Sequence, residues 1–92
     1  MKQIQPVQIW SSGSVQTGSL LNAYIIYDNL LNSANFYWAI WSSDAEGAAV
    51  KSLAEGNLTM TEPDYSVWGT ASDINEAAYQ WIAAELSLTL VP

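Results

Sequence analysis

The 92-residue chain predicts an α+β fold: an antiparallel meander of four to five strands, one short and one longer helix packed on one face, and a closing C-terminal strand. Three observations predict it. Up to Met60 the apolar residues alternate with polar ones and are rich in β-branched and aromatic types, the pattern of strands. Gly, Asn, Asp and Ser break that pattern at short intervals, as tight connections require. After Met60 the period lengthens to that of an amphipathic helix, and it returns to two only over the last residues.

The elements follow in order. Pro6–Trp10 alternates and stops at Ser11-Ser12-Gly13; proline cannot donate to a ladder, so Pro6 suits a strand start or an edge. Ser14–Thr17 makes a short return strand ended by Gly18. Leu20–Tyr27 follows, bounded by Asp28-Asn29, and Asn35–Trp41 is the most strand-like segment of all. A polar loop, Ser42–Gly47, leads back through Ala48–Ala54, where Glu55-Gly56 marks a bulge. Asn57–Met60 then places Leu58 and Met60 on one face.

Thr61-Glu62-Pro63-Asp64 offers an N-cap hydroxyl and an early proline for a helical turn over Tyr65–Trp68, stopped by Gly69. Ser72-Asp73 opens the longer helix, with Asp73 and Glu76 favoured at its positive end. Its apolar stripe, Ile74, Ala77, Ala78, Trp81, Ile82 and Leu86, lies opposite Glu76 and Gln80, so Trp81 with Ile74 and Ala78 is expected to anchor the helix on the sheet. Leu86–Val91 alternates and returns as a last strand, the chain ending at Pro92. With no linker or repeat, residues 1–92 form a single α+β domain, with an expected radius of gyration of about 12 Å.

Composition removes many functions. The chain has two Lys, nine Asp or Glu, and neither His nor Cys, for a net charge of -7. It also contains no Arg. Without His and Cys there is no ordinary zinc site, no Ser-His-Asp or Cys-His nucleophile and no disulfide. Lys2 and Lys51 cannot form the basic cluster that phosphate neutralisation needs, so no nucleic-acid partner is expected. No basic amphipathic helix and no long apolar run occur, so no membrane partner is expected, and Met1–Pro6 lacks the apolar core of a signal peptide. No cofactor is implied.

The remaining chemistry lies in carboxylates and aromatics. Asp44 with Glu46, Glu62 with Asp64, and Asp73 with Glu76 are close enough in sequence to be considered as acid–base pairs. Each has an ordinary role as a turn former or helix-dipole partner, and the oxygen spacing of Asp44-Ala45-Glu46 is too sparse for a calcium loop. The chain is therefore read as a non-enzyme. Asn57-Leu58-Thr59 matches the glycosylation sequon by coincidence.

Ten of the eleven aromatics are Tyr or Trp, with an apolar body and a polar tip. On Asn35–Trp41, Phe36 and Trp38 share one face while Tyr37 and Trp41 share the other. Helices can cover only one of these faces, so an aromatic face is left to solvent or a partner. The candidate interface residues are Tyr37 and Trp41, with Tyr24 and Tyr27 from the adjacent strand; alternation leaves open which face is outer. Exposed Trp and Tyr beside amides and carboxylates also fit stacking on sugars.

Leu21–Leu30 followed by Ser33–Tyr37, Gly56–Thr61 leading to Asp64-Tyr65 and Trp68, and the closing Ala78–Trp81 with Ala84–Leu90 together resemble small proteins encoded in tailed-phage genomes. The resemblance covers roughly residues 8–91 and carries over no catalytic or binding residue. It implies a small virion-associated structural or accessory protein, such as a capsid decoration, head-fibre or tail component. Such a protein would contact other virion proteins or self-associate as a homo-oligomer, and would be made in the host cytoplasm. An acidic domain free of Arg fits an outward position better than one beside packaged DNA. The alternatives are a glycan-binding module using exposed Trp and Tyr, and a phage protein that binds a host factor.

Overall fold

A two-residue turn starts the sheet. Ser12 and Gly13 both take positive φ (52° and 84°), the geometry that matches the twist of a tight hairpin, and Ser11 pairs with Ser14 across it. The computed structural model describes residues 1–91; Pro92 lies outside the described residues. Four strands, β1 (Lys2–Ser11), β2 (Ser14–Asp28), β3 (Ala34–Ser43) and β4 (Ala49–Met60), form one antiparallel sheet in sequential order. Two helices, α1 (Asp64–Gly69) and α2 (Ile74–Glu85), follow.

The α+β meander with a short and a longer helix is thus the observed architecture, but several strand boundaries differ from those expected. Strand β1 begins four residues before Pro6, and the proline falls where the β1–β2 register shifts, between Gln3 and Val7. At that irregularity no ladder donor is demanded of it. Gly18 does not end a strand. It lies inside β2, where an added Cβ would stand 2.5 Å from Ile40 Cγ2, so the glycine permits a close approach of side chain to backbone. Gly56 marks no bulge either: it pairs in register with Trp38, whose indole would lie 2.9 Å from an added Cβ. The β3–β4 shifts occur instead around Trp41, with Ile40 opposite Ala54 and Trp41 opposite Ser52.

The closing strand is reduced to a single bridge. Leu90 pairs with Ile4, flanked by Gln5 N–H to Thr89 O and Val91 N–H to Gln3 O. The segment does return to the sheet, along the outer edge of β1. What shortens it is the turn that ends α2, where Ser87 takes φ 57° while Ser87 N–H and Leu88 N–H bond back to Ala84 O and Ala83 O. That is a Schellman closure with serine in the place usually held by glycine.

The helices cap differently from one another. Asp73 accepts a hydrogen bond from Glu76 N–H at 3.1 Å, as expected for an N-cap. At α1 the Thr61 hydroxyl is not the cap; the Glu62 carboxylate instead receives both the N–H and the hydroxyl of Ser66. The Glu62–Pro63 peptide is cis.

The core lies between the sheet and α2. Ile4, Leu21, Phe36, Met60 and Ile82 are its largest fully buried side chains. Phe36 is the hub, with Trp68 meeting it edge-on at 5.6 Å and Trp81 tilted at 5.9 Å. Trp81 and Ala78 therefore anchor α2 as expected. Ile74, in the first turn, is 49% exposed and contributes its carbonyl, which accepts from Trp68 Nε1 at 2.9 Å. The radius of gyration, 13.9 Å, exceeds the compact expectation because the 15-residue β2 stretches the molecule to 41 Å along one axis.

Candidate functional site

The position of the helices decides which sheet face is outer. Phe36 packs against Trp68 and Trp81, so its face is the covered one. The opposite face carries Tyr37, Ala39 and Trp41 of β3. Directly opposed residues in an antiparallel pair share a face, which adds Leu20, Asn22 and Tyr24 from β2, then Glu55 and Asn57 from β4.

Tyr27 joins this face through an irregularity. It lies three positions after Tyr24, an odd spacing that in a regular strand would put the two on opposite sides. The β2–β3 register shifts between Ile25 and Tyr27, so Tyr27 stands opposite Asn35 and returns to the outer side. All four expected interface residues, Tyr24, Tyr27, Tyr37 and Trp41, therefore share the face away from the helices.

Their environments differ. Tyr24 and Tyr27 are 56% and 61% exposed, whereas Tyr37 and Trp41 are half-buried. The Tyr24 and Tyr37 rings are 5.0 Å apart and tilted by 35°. Tyr37 donates its hydroxyl to Glu55 at 2.5 Å, and this hydrogen bond pushes the phenol pKa up to about 12. Ala39, between Tyr37 and Trp41 in the row, is only 1% exposed, so its larger neighbours close over it. Trp41 Nε1 is buried without a hydrogen-bond partner, an arrangement that costs about 1–3 kcal/mol for a polar group of this kind.

Sequence reasoning missed a second apolar region, at the far end of β2. Ile25 and Ile26 are exposed beside Tyr24 and Tyr27, and Leu30 and Leu31 reach 84% and 77% exposure in the β2–β3 loop. Asn29 Oδ1 receives the N–H groups of Leu31, Asn32 and Ser33, while Asp28 Oδ1 receives Leu30 N–H and the Tyr65 hydroxyl. The Tyr65 bond raises that phenol's pKa. This network holds Leu30 at φ 59° and displays both leucines outward. The available signal was an apolar pair inside a loop otherwise built of Asp, Asn and Ser. Trp10 and Val15, paired near the β1–β2 turn, are a smaller exposed couple that was also missed.

The carboxylates hold the chain together. Asp44 accepts from the N–H groups of Glu46 and Ala48 in the β3–β4 turn, Asp64 accepts from Trp81 Nε1 at 3.0 Å, and Glu76 pairs with Lys2. That ion pair lowers the Glu76 pKa and raises that of Lys2. Among the described residues no three carboxylates gather as metal ligands, and no helix is long and apolar enough to cross a membrane. An apolar cleft of about 450 Å³ opens between β2 and α2, lined by Ala23, Ile25, Phe36, Ile74, Ala78 and Ile82 and rimmed by Asp28 and Tyr79. Comparison with family models, with curated proteins and with solved structures finds no match for this chain, which leaves its surfaces as the guide to its function.

Proposed function

We propose that the chain is a small structural or accessory protein of a phage particle, a capsid decoration, head-fibre or tail component, acting through protein–protein contacts. The observation that supports this reading is the outer sheet face. It carries Tyr24, Tyr27, Tyr37 and Trp41 with a single carboxylate, Glu55, which already holds Tyr37. Aromatic enrichment with few charges is the signature of an interface core. The acidic remainder, net -7 over the chain, favours contact with protein over contact with nucleic acid.

Mass spectrometry of purified particles from a phage that encodes the chain tests the reading. The chain is expected in stoichiometric amounts, and Trp41→Arg is expected to lower its occupancy while leaving the isolated protein folded. Particles that lack the chain altogether would refute it.

A second reading rests on the same face. The Tyr24–Tyr37 platform is flanked by Asn22, Glu55 and Asn57, side chains that can hydrogen-bond sugar hydroxyls while a ring stacks. Saturable quenching of tryptophan fluorescence by an oligosaccharide, together with absence from particles, would favour it.

A further inference from the structure

Hydrogen bonds between the helices and the sheet frame the cleft beside α2. Near Ala23 the Tyr79 hydroxyl accepts the Ala23 N–H at 3.2 Å and ties α2 to β2. Five residues further along β2, the Tyr65 hydroxyl donates to Asp28 Oδ1 at 2.6 Å and ties α1 to the same strand. Trp68 Nε1 donates to Ile74 O at 2.9 Å, which fixes the indole against the start of α2. Between these ties Phe36, Ala78 and Ile82 form a buried apolar floor. Ile25 of β2 and Ile74 of α2 border the same space and remain 44% and 49% exposed.

We infer that this cleft is a binding site for a small organic ammonium ion, its apolar body seated on Phe36, Ala78 and Ile82 and its ammonium group at the Asp28 carboxylate. The volume, about 450 Å³, falls within the range of small-molecule sites. It equals roughly 15 water volumes of about 30 Å³ each, room for a body of a dozen or so heavy atoms.

The charge of the occupant follows from the rim. Asp28 is the only charged side chain that lines the cleft among the described residues. Leu30 N–H and the Tyr65 hydroxyl both bond its Oδ1, which leaves Oδ2 for a ligand. Neither lysine supplies a counter-charge there. Lys2 comes within 5.9 Å of the Tyr79 ring but is held by Glu76, and Lys51 bonds Ser12. The positive end of α2, at Ile74 and Asn75, is offset by the Asp73 carboxylate that caps it. A carboxylate ligand would thus meet Asp28 uncompensated, whereas an ammonium group would form a charge-assisted hydrogen bond beside an apolar floor. The net charge of -7 also raises the local concentration of cations over anions.

The site is preformed. Asp28 is held by two hydrogen bonds and the walls by Tyr79 and Trp68, so binding has little of the chain left to order. The cleft opens on the helix side of the sheet, away from Tyr37 and Trp41, and the inference does not rest on the phage reading.

Titration with 4-phenylbutylamine, 4-phenylbutanol and 4-phenylbutyrate at neutral pH, followed by methyl NMR, tests the inference, because the three probes share one apolar body and differ in charge. With the amine, the Ile25, Ile74 and Ala78 methyl signals are expected to shift together and saturate, while those of Val15 and Val50, exposed outside the cleft, stay in place. The amine is expected to bind about threefold more tightly than the alcohol and about tenfold more tightly than the carboxylate. Asp28→Asn keeps an oxygen for Leu30 N–H and the Tyr65 hydroxyl, and is expected to bring the three affinities within about twofold of one another. The probe series on the unsubstituted protein needs no variant to fold. No saturable shift at Ile25 and Ile74, shifts centred on the outer-face residues Tyr37 and Trp41, an amine no tighter than the carboxylate, or a preference that survives Asp28→Asn would each overturn it. Absence of the chain from phage particles would leave these results unaffected, so the two readings fail separately.

Discussion

Gly18→Ala isolates the close approach of Ile40 to the backbone of β2. The backbone there does not need glycine's conformational range, since only Gly13 and Gly47 among the glycines take positive φ. By backbone entropy alone, alanine would be favoured by about 0.4–1 kcal/mol. The obstacle is steric: the new Cβ would lie 2.5 Å from Ile40 Cγ2, 3.2 Å from Ile9 Cδ1 and 3.5 Å from Val7 Cγ2. The Ile9 terminus can rotate away, but Cγ2 of Ile40 is attached at the β-carbon of a side chain only 6% exposed. Overpacking of this kind costs about 1–3 kcal/mol. The net expected loss is about 1–2 kcal/mol, or a fall in Tm of about 5–15 °C for a domain this small.

Ile40→Leu moves the branch off the β-carbon and by itself should cost less than about 1.5 kcal/mol. The double variant should then be more stable than the two single losses predict by about 1 kcal/mol. Thermal and urea unfolding of the four proteins measure this. A Gly18→Ala variant that melts at or above the parent, or two substitutions that simply add, would refute the close approach of Gly18 to Ile40.

Trp81→Ala should cost about 3–5 kcal/mol, because the ring packs on Phe36 and its Nε1 bonds Asp64. Trp81→Phe, which keeps most of the ring and loses the donor, should cost only about 0.5–1.5 kcal/mol; an unchanged melting curve for Trp81→Ala would show that α2 is not anchored there. Spectrophotometric titration should show one tyrosine ionising near pH 12, and Glu55→Gln should return it toward 10. The folded state holds the Tyr37 proton more tightly than the unfolded chain does. Its contribution to stability is therefore full below pH 10 and lost as pH rises from about 10 to about 12. A titration unaltered by Glu55→Gln would contradict the assignment.

Much of this protein was legible locally. The Ser12-Gly13 turn, the strand character of Asn35–Trp41, the helix start at Ser72-Asp73 and the Ala78–Trp81–Ile82 stripe are short-range matters of backbone preference and periodicity. These determine the α+β class and the order of its elements. They also place Tyr37 and Trp41 on one face of β3. What they leave open depends on contacts between residues distant in sequence. Gly18 and Gly56 carry the composition of breaks, yet Ile40 and Trp38 occupy the space above them, so each strand runs through. Tyr24 and Tyr27 share a face only because β3 opposes two β2 residues with one at the irregularity. The choice of outer face waits on where α2 docks. Period and propensity act over a few residues, whereas register, face and edge are properties of the assembled sheet, and only the tertiary structure decided them.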